Sequence, residues 1–291
     1  MSRLINRKLA LICVVFLLTS IIAALGFAFA NEPSGEGDPS ADKPITIPIF
    51  ADGILIGEGI CIDGSTYVSL RLMCEMLVED VEITWDQEEK TAIVIGPDLE
   101  ITAEVGNHYF YANERYFYTP NSILNLNGMV MVPVRELANV FSVNVTWYED
   151  WSISFDTYDV QMMENGGGFY NEDDVYWLSR IINAESGNQP LEGKIGTGNV
   201  VLNRVKDPTC PDNIYDVIFD RQHGVQFSPV ETGSVYDEPN DESVIAAKLC
   251  LEGYSTVGDS LFFVNPEIGV TEWMNQTRTF VISIGDHDFY A

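Results

Sequence analysis

Between Ile45 and Thr157 the chain carries an internal repeat, so the first half must form the same elements twice in the same order. Tyr67-Val68-Ser69-Leu70-Arg71 returns as Met131-Val132-Pro133-Val134-Arg135, 64 residues later, and Trp85 returns as Trp147, 62 later. Each copy reads as a short strand, an apolar helix and a strand pair. Val81, Ile83 and Trp85 alternate with Glu82 and Thr84, as Val143, Val145 and Trp147 alternate with Asn144 and Thr146. That period of two predicts one buried and one wet face. Turns at 86–89 and 148–150 lead into 91–95 and 151–155, giving two hairpins of similar build. The two-residue difference in spacing predicts helices of slightly different length.

This V-x-L/V-R, helix, V-x-V/I-T-W pattern over residues 45–157 resembles the copper amine oxidase N-terminal-like domain, a module of many secreted and wall-associated bacterial proteins. The resemblance implies a targeting or spacing module, with a cell-surface or spore-coat partner as its functional reading and a passive folding unit as the alternative. It does not import an oxidase activity. Such an enzyme needs a copper site of several His and a Tyr-derived quinone, and His108 is the only His before residue 200. No cofactor and no metal is expected.

Arg3, Arg7 and Lys8 precede an apolar run from Leu9 to Phe27, and Ala28-Phe29-Ala30 follows. A basic start, an apolar stretch and small residues before a cut predict a secretory signal over 1–30, cleaved before Asn31. An uncleaved anchor is the alternative, because the run approaches the ~20 residues that span a bilayer. Either outcome places the rest outside the cytoplasm, in the cell wall or spore envelope. Residues 31–44 are rich in Pro, Gly, Ser and acidic residues without an apolar period, which predicts a disordered linker. Gly166-Gly167-Gly168 lies in a stretch, 158–172, that reads as a flexible hinge between two domains.

With 15 Lys and Arg against 44 Asp and Glu, the chain carries a formal charge of −29. Such a surface repels phosphate polymers, so nucleic acid is not an expected partner. Cys61 and Cys74 fall in the first domain and Cys210 and Cys250 in the second, a split that fits one disulfide in each or four unpaired thiols.

The second domain, 173–291, carries the chemistry. Asn171 caps a helix start before an apolar run. Leu178, Ile181, Ile182 and Glu185 follow at helical spacing, so a carboxylate ends the apolar stripe where Ser186-Gly187-Asn188-Gln189-Pro190 breaks the helix. A carboxyl on an apolar face loses hydration in its charged form, and its pKa rises toward the value a general acid needs. The structural alternative pairs Glu185 with Arg180 or Lys194. A second helix over 192–206 holds Gly193, Gly196 and Gly198, each costing about 1 kcal/mol relative to Ala. Their presence predicts a backbone packed close by, that of the Glu185 helix. Further elements are expected at 214–219, as a helix at 241–253 and as a strand at 261–266.

The ordered set LSRIINAESGNQPLEGKIGTGNVVLNRV, VQFSPV, SLFFVNP and TFVISIGDHDFY resembles the catalytic domain of the spore cortex-lytic cell wall hydrolase (SleB/CwlJ) family. That resemblance implies an α+β, lysozyme-like and lytic-transglycosylase-like fold, with Glu185 as the catalytic acid acting on peptidoglycan. Val225, His223, Gly196 and Gly198 depart from the usual pattern, at positions that bear on cleft shape and substrate preference. Gln226, Ser228 and Asn265 are candidates for hydrogen bonding to sugar N-acetyl and hydroxyl groups. Phe227, Tyr236 and Trp273 are candidates for stacking on sugar faces, with core packing as the alternative for each. His287 reads as a surface turn residue. No second carboxylate stands at a diagnostic spacing, so the muramyl 6-hydroxyl is the expected nucleophile and a 1,6-anhydro sugar the expected product. Hydrolysis would need a second carboxyl, with Glu231 the first candidate. The rival from another class is a wall-binding protein without catalysis.

Overall fold

The computed structural model describes residues 45–158, 160–222, 224–268 and 271–291. The expected signal and linker, residues 1–44, and His223 lie outside them. The chain divides into two α+β units, the first running to His108 and resuming over Thr119–Met163, the second comprising Tyr109–Tyr118 and Glu164–Ala291.

The first unit opens with β1 (Ile45–Ala51), β2 (Ile54–Ile62) and β3 (Ser65–Ser69), followed by α1 (Leu70–Leu77) and by β4 (Glu82–Asp86), β5 (Thr91–Gly96) and β6 (Leu99–Glu104). Two strands, β7 (Tyr109–Ala112) and β8 (Arg115–Tyr118), belong with the second unit. The first unit resumes with β9 (Leu124–Leu126), β10 (Met129–Pro133), α2 (Val134–Val140), β11 (Val145–Trp147) and β12 (Ile153–Phe155). Its larger sheet has the order β11-β12-β1-β2-β3-β10-β9.

The repeat is visible as symmetry. Strands β3 and β10 are antiparallel, and Val68 faces Val132, its own counterpart 64 residues on, with Tyr67 opposite Pro133 and Ser69 opposite Met131. The two copies are therefore related by a local two-fold axis through that pair. Tyr67, Val68, Val132, Leu137 and Phe141 are all fully buried around it. The copies differ at the helix start: Ser69 Oγ accepts the Leu72 N–H at 3.3 Å, whereas Pro133 offers α2 no side-chain cap. Both expected hairpins form, Trp85 opposite Ala92 and Trp147 opposite Ile153. The expected buried face does not extend to the tryptophans, which stay 40% and 38% exposed. Both sit on the terminal strand of a sheet, where no further strand covers them.

The second unit is built on three helices, α4 (Glu172–Ser186), α5 (Leu191–Lys206) and α8 (Asp241–Leu251), after a short α3 (Gly166–Phe169). Shorter helices α6 (Ile214–Phe219), α7 (Pro229–Thr232) and α9 (Thr271–Thr277) connect them to a sheet of β13 (Phe262–Val264), β15 (His287–Tyr290) and β14 (Phe280–Ile284), in that order. Asn171 Oδ1 accepts the Asp173 and Asp174 N–H groups at 2.9 and 3.1 Å and starts α4 as expected. Leu178, Ile181, Ile182, Ile195, Val201, Ala246, Ala247 and Leu249 form the core.

Two expectations are corrected here, and of the two cysteine readings the unpaired one holds. The glycines of α5 face side chains rather than a backbone: a Cβ on Gly198 would lie 2.7 Å from Cys250 Sγ and 2.8 Å from Ile182 Cδ1, and one on Gly196 2.8 Å from Phe289 and Val257. Such contacts are too short for any Cβ, so only glycine lets these partners reach the helix. The triple glycine is not an open hinge. Asn165 Oδ1 accepts the Gly167 N–H at 2.8 Å, Gly166 N–H donates to Asn113 O at 2.9 Å, and a Cβ on Gly166 would meet Glu114 O at 2.4 Å. All four described cysteines are free, Cys74 and Cys250 in the core and Cys61 and Cys210 half-exposed, so neither disulfide is present.

The hairpin β7–β8 is also not where a single domain over 45–157 would keep it. Asn113 and Glu114 at its tip both have positive φ, 47° and 65°, the turn type whose twist matches a two-residue hairpin. Within the second unit, Arg115 bonds to Glu252, Tyr118 packs at 5.9 Å from Tyr254 and Lys248 Nζ lies 5.5 Å from the Tyr116 ring.

Candidate active site

Leu178, Ile181 and Ile182 are fully buried along one face of α4, and Glu185 follows on the last turn as a half-buried side chain. Burial penalises its charged form and lifts the carboxyl from the ordinary 4.5 to about 7, with the positive charge of Arg204 working against the rise. Among the described residues no hydrogen bond or ion pair engages Glu185. Arg180 instead pairs through Nη2 with Glu238 at 2.7 Å, and its guanidinium carbon lies 3.7 Å from the centre of the Tyr176 ring. Lys194 Nζ pairs with Glu242 and donates to Gln189 O at 2.8 Å. The two cations that sequence spacing offered as partners are thus both used elsewhere, and the carboxyl is left available.

Arg204, in the last turn of α5, is the charge that sequence reasoning missed. The residue is only 9% exposed. Nε donates to Leu261 O at 2.8 Å, the Phe227 and Phe262 rings lie 5.1 and 5.5 Å from its centre, and Nη1 is buried with no partner. Burial lowers its pKa, and Cys210, Asp220 and Glu185 hold the charge against that. Cys210 and Asp220 also line an open recess of about 870 Å³ walled by Pro208, Pro211, Asp216 and Phe219.

The loop that ends α4 is fixed on both sides. Ser186 and Thr197 hydroxyls share a bond of 2.5 Å, Gln189 exchanges two bonds with Asp286 at 2.9 and 3.0 Å, and Asn240 Nδ2 donates to Gly187 O at 3.3 Å. A carboxyl at the end of a helix needs such clamps to hold a productive geometry.

The other candidates are scattered in role. Phe227 is 2% exposed, so it is core beneath Arg204 and not a platform for a sugar. Gln226 is half-buried, with Nε2 donating to Gly224 O at 3.1 Å. Ser228 is exposed and makes no capping bond at the start of α7. Asn265 Oδ1 accepts the Glu267 N–H at 2.9 Å. Trp273 is 57% exposed beside Arg278, 5.9 Å away. Tyr236 is 58% exposed and lies 6.1 Å from Trp177, in a group with Tyr215 and Phe219 that sequence reading did not single out. Glu231 is exposed on α7. His287 is no surface turn residue: it is 8% exposed on β15 with its ring 5.1 Å from Phe263 and Nδ1 unpartnered, and burial lowers its pKa.

In the first unit the donor set does not fit an amine oxidase's copper. His108 Nδ1 faces Thr119 O at 3.3 Å, and no group of three His, Cys, Asp or Glu side chains among the described residues is arranged to hold a metal.

Residues 188–290 match the family model of cell wall hydrolases, beginning three residues after Glu185, and residues 57–153 match that of the copper amine oxidase N-terminal domain. The spore cortex-lytic enzyme of Oceanobacillus iheyensis is 29% identical over 120 residues, 41% of this chain and 42% of that protein. The spore cortex-lytic enzyme of Bacillus subtilis is 29% identical over 123 residues, 42% of this chain and 39% of that protein. The chain thus spans less than half the length of these curated relatives. The solved catalytic domain of the germination-specific lytic transglycosylase SleB from Bacillus anthracis is 28% identical, covers 44% of this chain and all of that one, and aligns with a TM-score of 0.39.

Proposed function

We propose that this chain cleaves the glycan strands of peptidoglycan in the cell envelope, at the bond between N-acetylmuramic acid and N-acetylglucosamine, with Glu185 as the acid. The observation that carries this reading is the Glu185 carboxyl itself: half-dry, unpaired among the described residues and raised to about 7. A group with that pKa is still partly protonated near neutral pH and can protonate a leaving oxygen. The spore cortex as the wall attacked is taken from the relatives' names.

The reaction proposed is a lytic transglycosylation. Glu185 gives its proton to the glycosidic oxygen, and the bond from that oxygen to the muramyl anomeric carbon breaks. The muramyl 6-hydroxyl oxygen bonds to the same carbon, and its proton passes to the Glu185 carboxylate. Water is neither consumed nor released, and the acid is regenerated in its starting form. Arg204 stabilises the carboxylate between the two transfers, because an opposite charge nearby favours the ionised form. Gln226, Ser228 and Asn265 offer neutral hydrogen-bonding groups for the sugar, and Tyr236 and Trp273 exposed rings.

Mass spectrometry of muropeptides released from purified cortex tests the chemistry. Anhydro-muramic ends support transglycosylation. Reducing muramic ends, heavier by one water, would require a second carboxyl and would point to hydrolysis, and no release at all would leave the wall-binding reading.

A further inference from the structure

The two copies of the repeat also differ around their arginines, and the first copy carries a groove there. In the second copy the guanidinium of Arg135 lies over the indole of Trp147, 5.9 Å from its centre. In the first copy the equivalent Arg71 is held by Glu75, Nη1 to Oε1 at 2.9 Å, and no cation–π contact joins it to Trp85 among the described residues. The sequence explains the difference. Glu75 stands one helical turn after Arg71, and Asn139, at the same place after Arg135, has no charge with which to draw the arginine away. Leu72 likewise corresponds to Glu136.

Trp85, 40% exposed, lines a groove of about 600 Å³ together with Leu70, Leu72, Ile83, Ala92, Met129 and Val130. That size and a largely apolar lining with a few polar groups are those of a small-ligand or chain-segment site. Trp85 Nε1 donates to Gln87 Oε1 at 3.1 Å, which fixes the indole and leaves the Gln87 amide NH₂ free to donate. Asn125 Oδ1 accepts the Gly128 N–H at 3.0 Å, leaving its own NH₂ in the same state. Arg71 and Glu75 neutralise one another at the rim.

We propose that this groove binds a neutral, N-acetylated glycan strand, with Trp85 under a sugar ring and the Gln87 and Asn125 amides on its polar edge. Three observations select that occupant. The rim has no net charge, while the chain carries −29 and repels anionic polymers. A flat indole 40% exposed offers its face to the C–H side of a pyranose. The apolar wall suits acetyl methyl groups. The choice of glycan rests on the wall-cleaving reading above, and it makes the first unit a tether that holds the enzyme on the strand it cuts. Two linked sites on one polymer raise apparent affinity by 10²–10⁴ without any new contact.

The test uses the full chain with Glu185→Gln, so that the probe survives, and sacculi stripped of anionic polymers by hydrofluoric acid. Cosedimentation should weaken at least tenfold on Trp85→Ala and on Leu72→Glu, the second change placing in the groove wall the charge that Glu136 carries in the second copy, with the tryptophan still present. Trp147→Ala should leave sedimentation within twofold, and thermal melts identify any variant that fails to fold. The proposal is overturned if Trp85→Ala and Trp147→Ala sediment alike, or if an apolar peptide, and not the N-acetylglucosamine tetramer, competes for the Trp85-dependent binding. Muropeptide release by the chain with Glu185 intact is scored separately, so a failure of the catalytic reading is told apart from a failure of the groove.

Discussion

Arg115 and Glu252 form a two-point ion pair across 137 residues of sequence, with Nε to Oε1 at 2.8 Å and Nη2 to Oε2 at 2.6 Å. Both side chains are nearly dry, at 13% and 5% exposure. Tyr170 donates to the same carboxylate at 2.5 Å, and the Phe169 ring lies 3.5 Å from the guanidinium. Removing one partner of a buried pair leaves the other charge without compensation, at a cost of about 3–5 kcal/mol. Arg115→Met should destabilise the second unit by that amount in urea unfolding of the full chain, and Arg115→Met with Glu252→Gln should recover part of it. A loss below about 1 kcal/mol would show that the hairpin is not held by this pair.

Much of the architecture is legible in the sequence because it follows from short-range rules. Asn171 as a cap, the apolar stripe ending at Glu185 and the repeated strand–helix–hairpin order are all local patterns. What escapes is contact across sequence distance. The aromatic strands 109–118 read as part of the repeat, yet their partners Lys248, Glu252 and Tyr254 lie more than a hundred residues on. Arg204 is missed because it lies on the helix after that of Glu185, and nothing in its own sequence neighbourhood says that the fold brings the two charges together. His287 departs from its surface-turn expectation, and Phe227 takes its core-packing alternative, for a related reason: burial of a single residue in a short element depends on what packs over it, which no period records.

Arg204 lowers the pKa of Glu185 that burial raises. Removing its charge with the similarly sized Arg204→Met should therefore move the alkaline limb of muropeptide release to higher pH, while slowing turnover because the carboxylate formed in the reaction loses its stabilising charge. Arg204→Lys should restore the position of the limb more than the rate, since lysine supplies the charge without the planar guanidinium. A pH profile unmoved in Arg204→Met would separate this arginine from the acid.

The raised carboxyl also has a stability signature. In the unfolded chain Glu185 ionises near 4.5, and in the folded chain near 7. Between those values the folded state binds more protons, so this group's contribution to stability is full below pH 4.5 and is lost as the pH rises to about 7. Glu185→Gln removes that dependence. Its stability advantage over the parent chain should grow from none at pH 4.5 to a plateau above pH 7, with a ceiling of about 3 kcal/mol from 1.36 kcal/mol per pH unit. Parallel stability curves across that range would contradict a dry carboxyl.

Free thiols make a separate, simple prediction. Burial pushes the Cys74 thiol up to about 12 and that of Cys250 higher still, so both should resist alkylation in the folded chain, while half-exposed Cys61 and Cys210 react. Reductant should leave the melting temperature unchanged. A mass loss of two protons per cysteine pair, reversed by reductant, would show a disulfide instead.

The central claim is that one half-buried carboxyl performs the cleavage. Muropeptide release from purified cortex by the full chain, measured beside Glu185→Gln with its fold verified, tests it most directly. A positioned general acid is worth about 10²–10⁴ in rate, so the variant should fall by at least a hundredfold. Equal release by both chains would remove Glu185 from the chemistry.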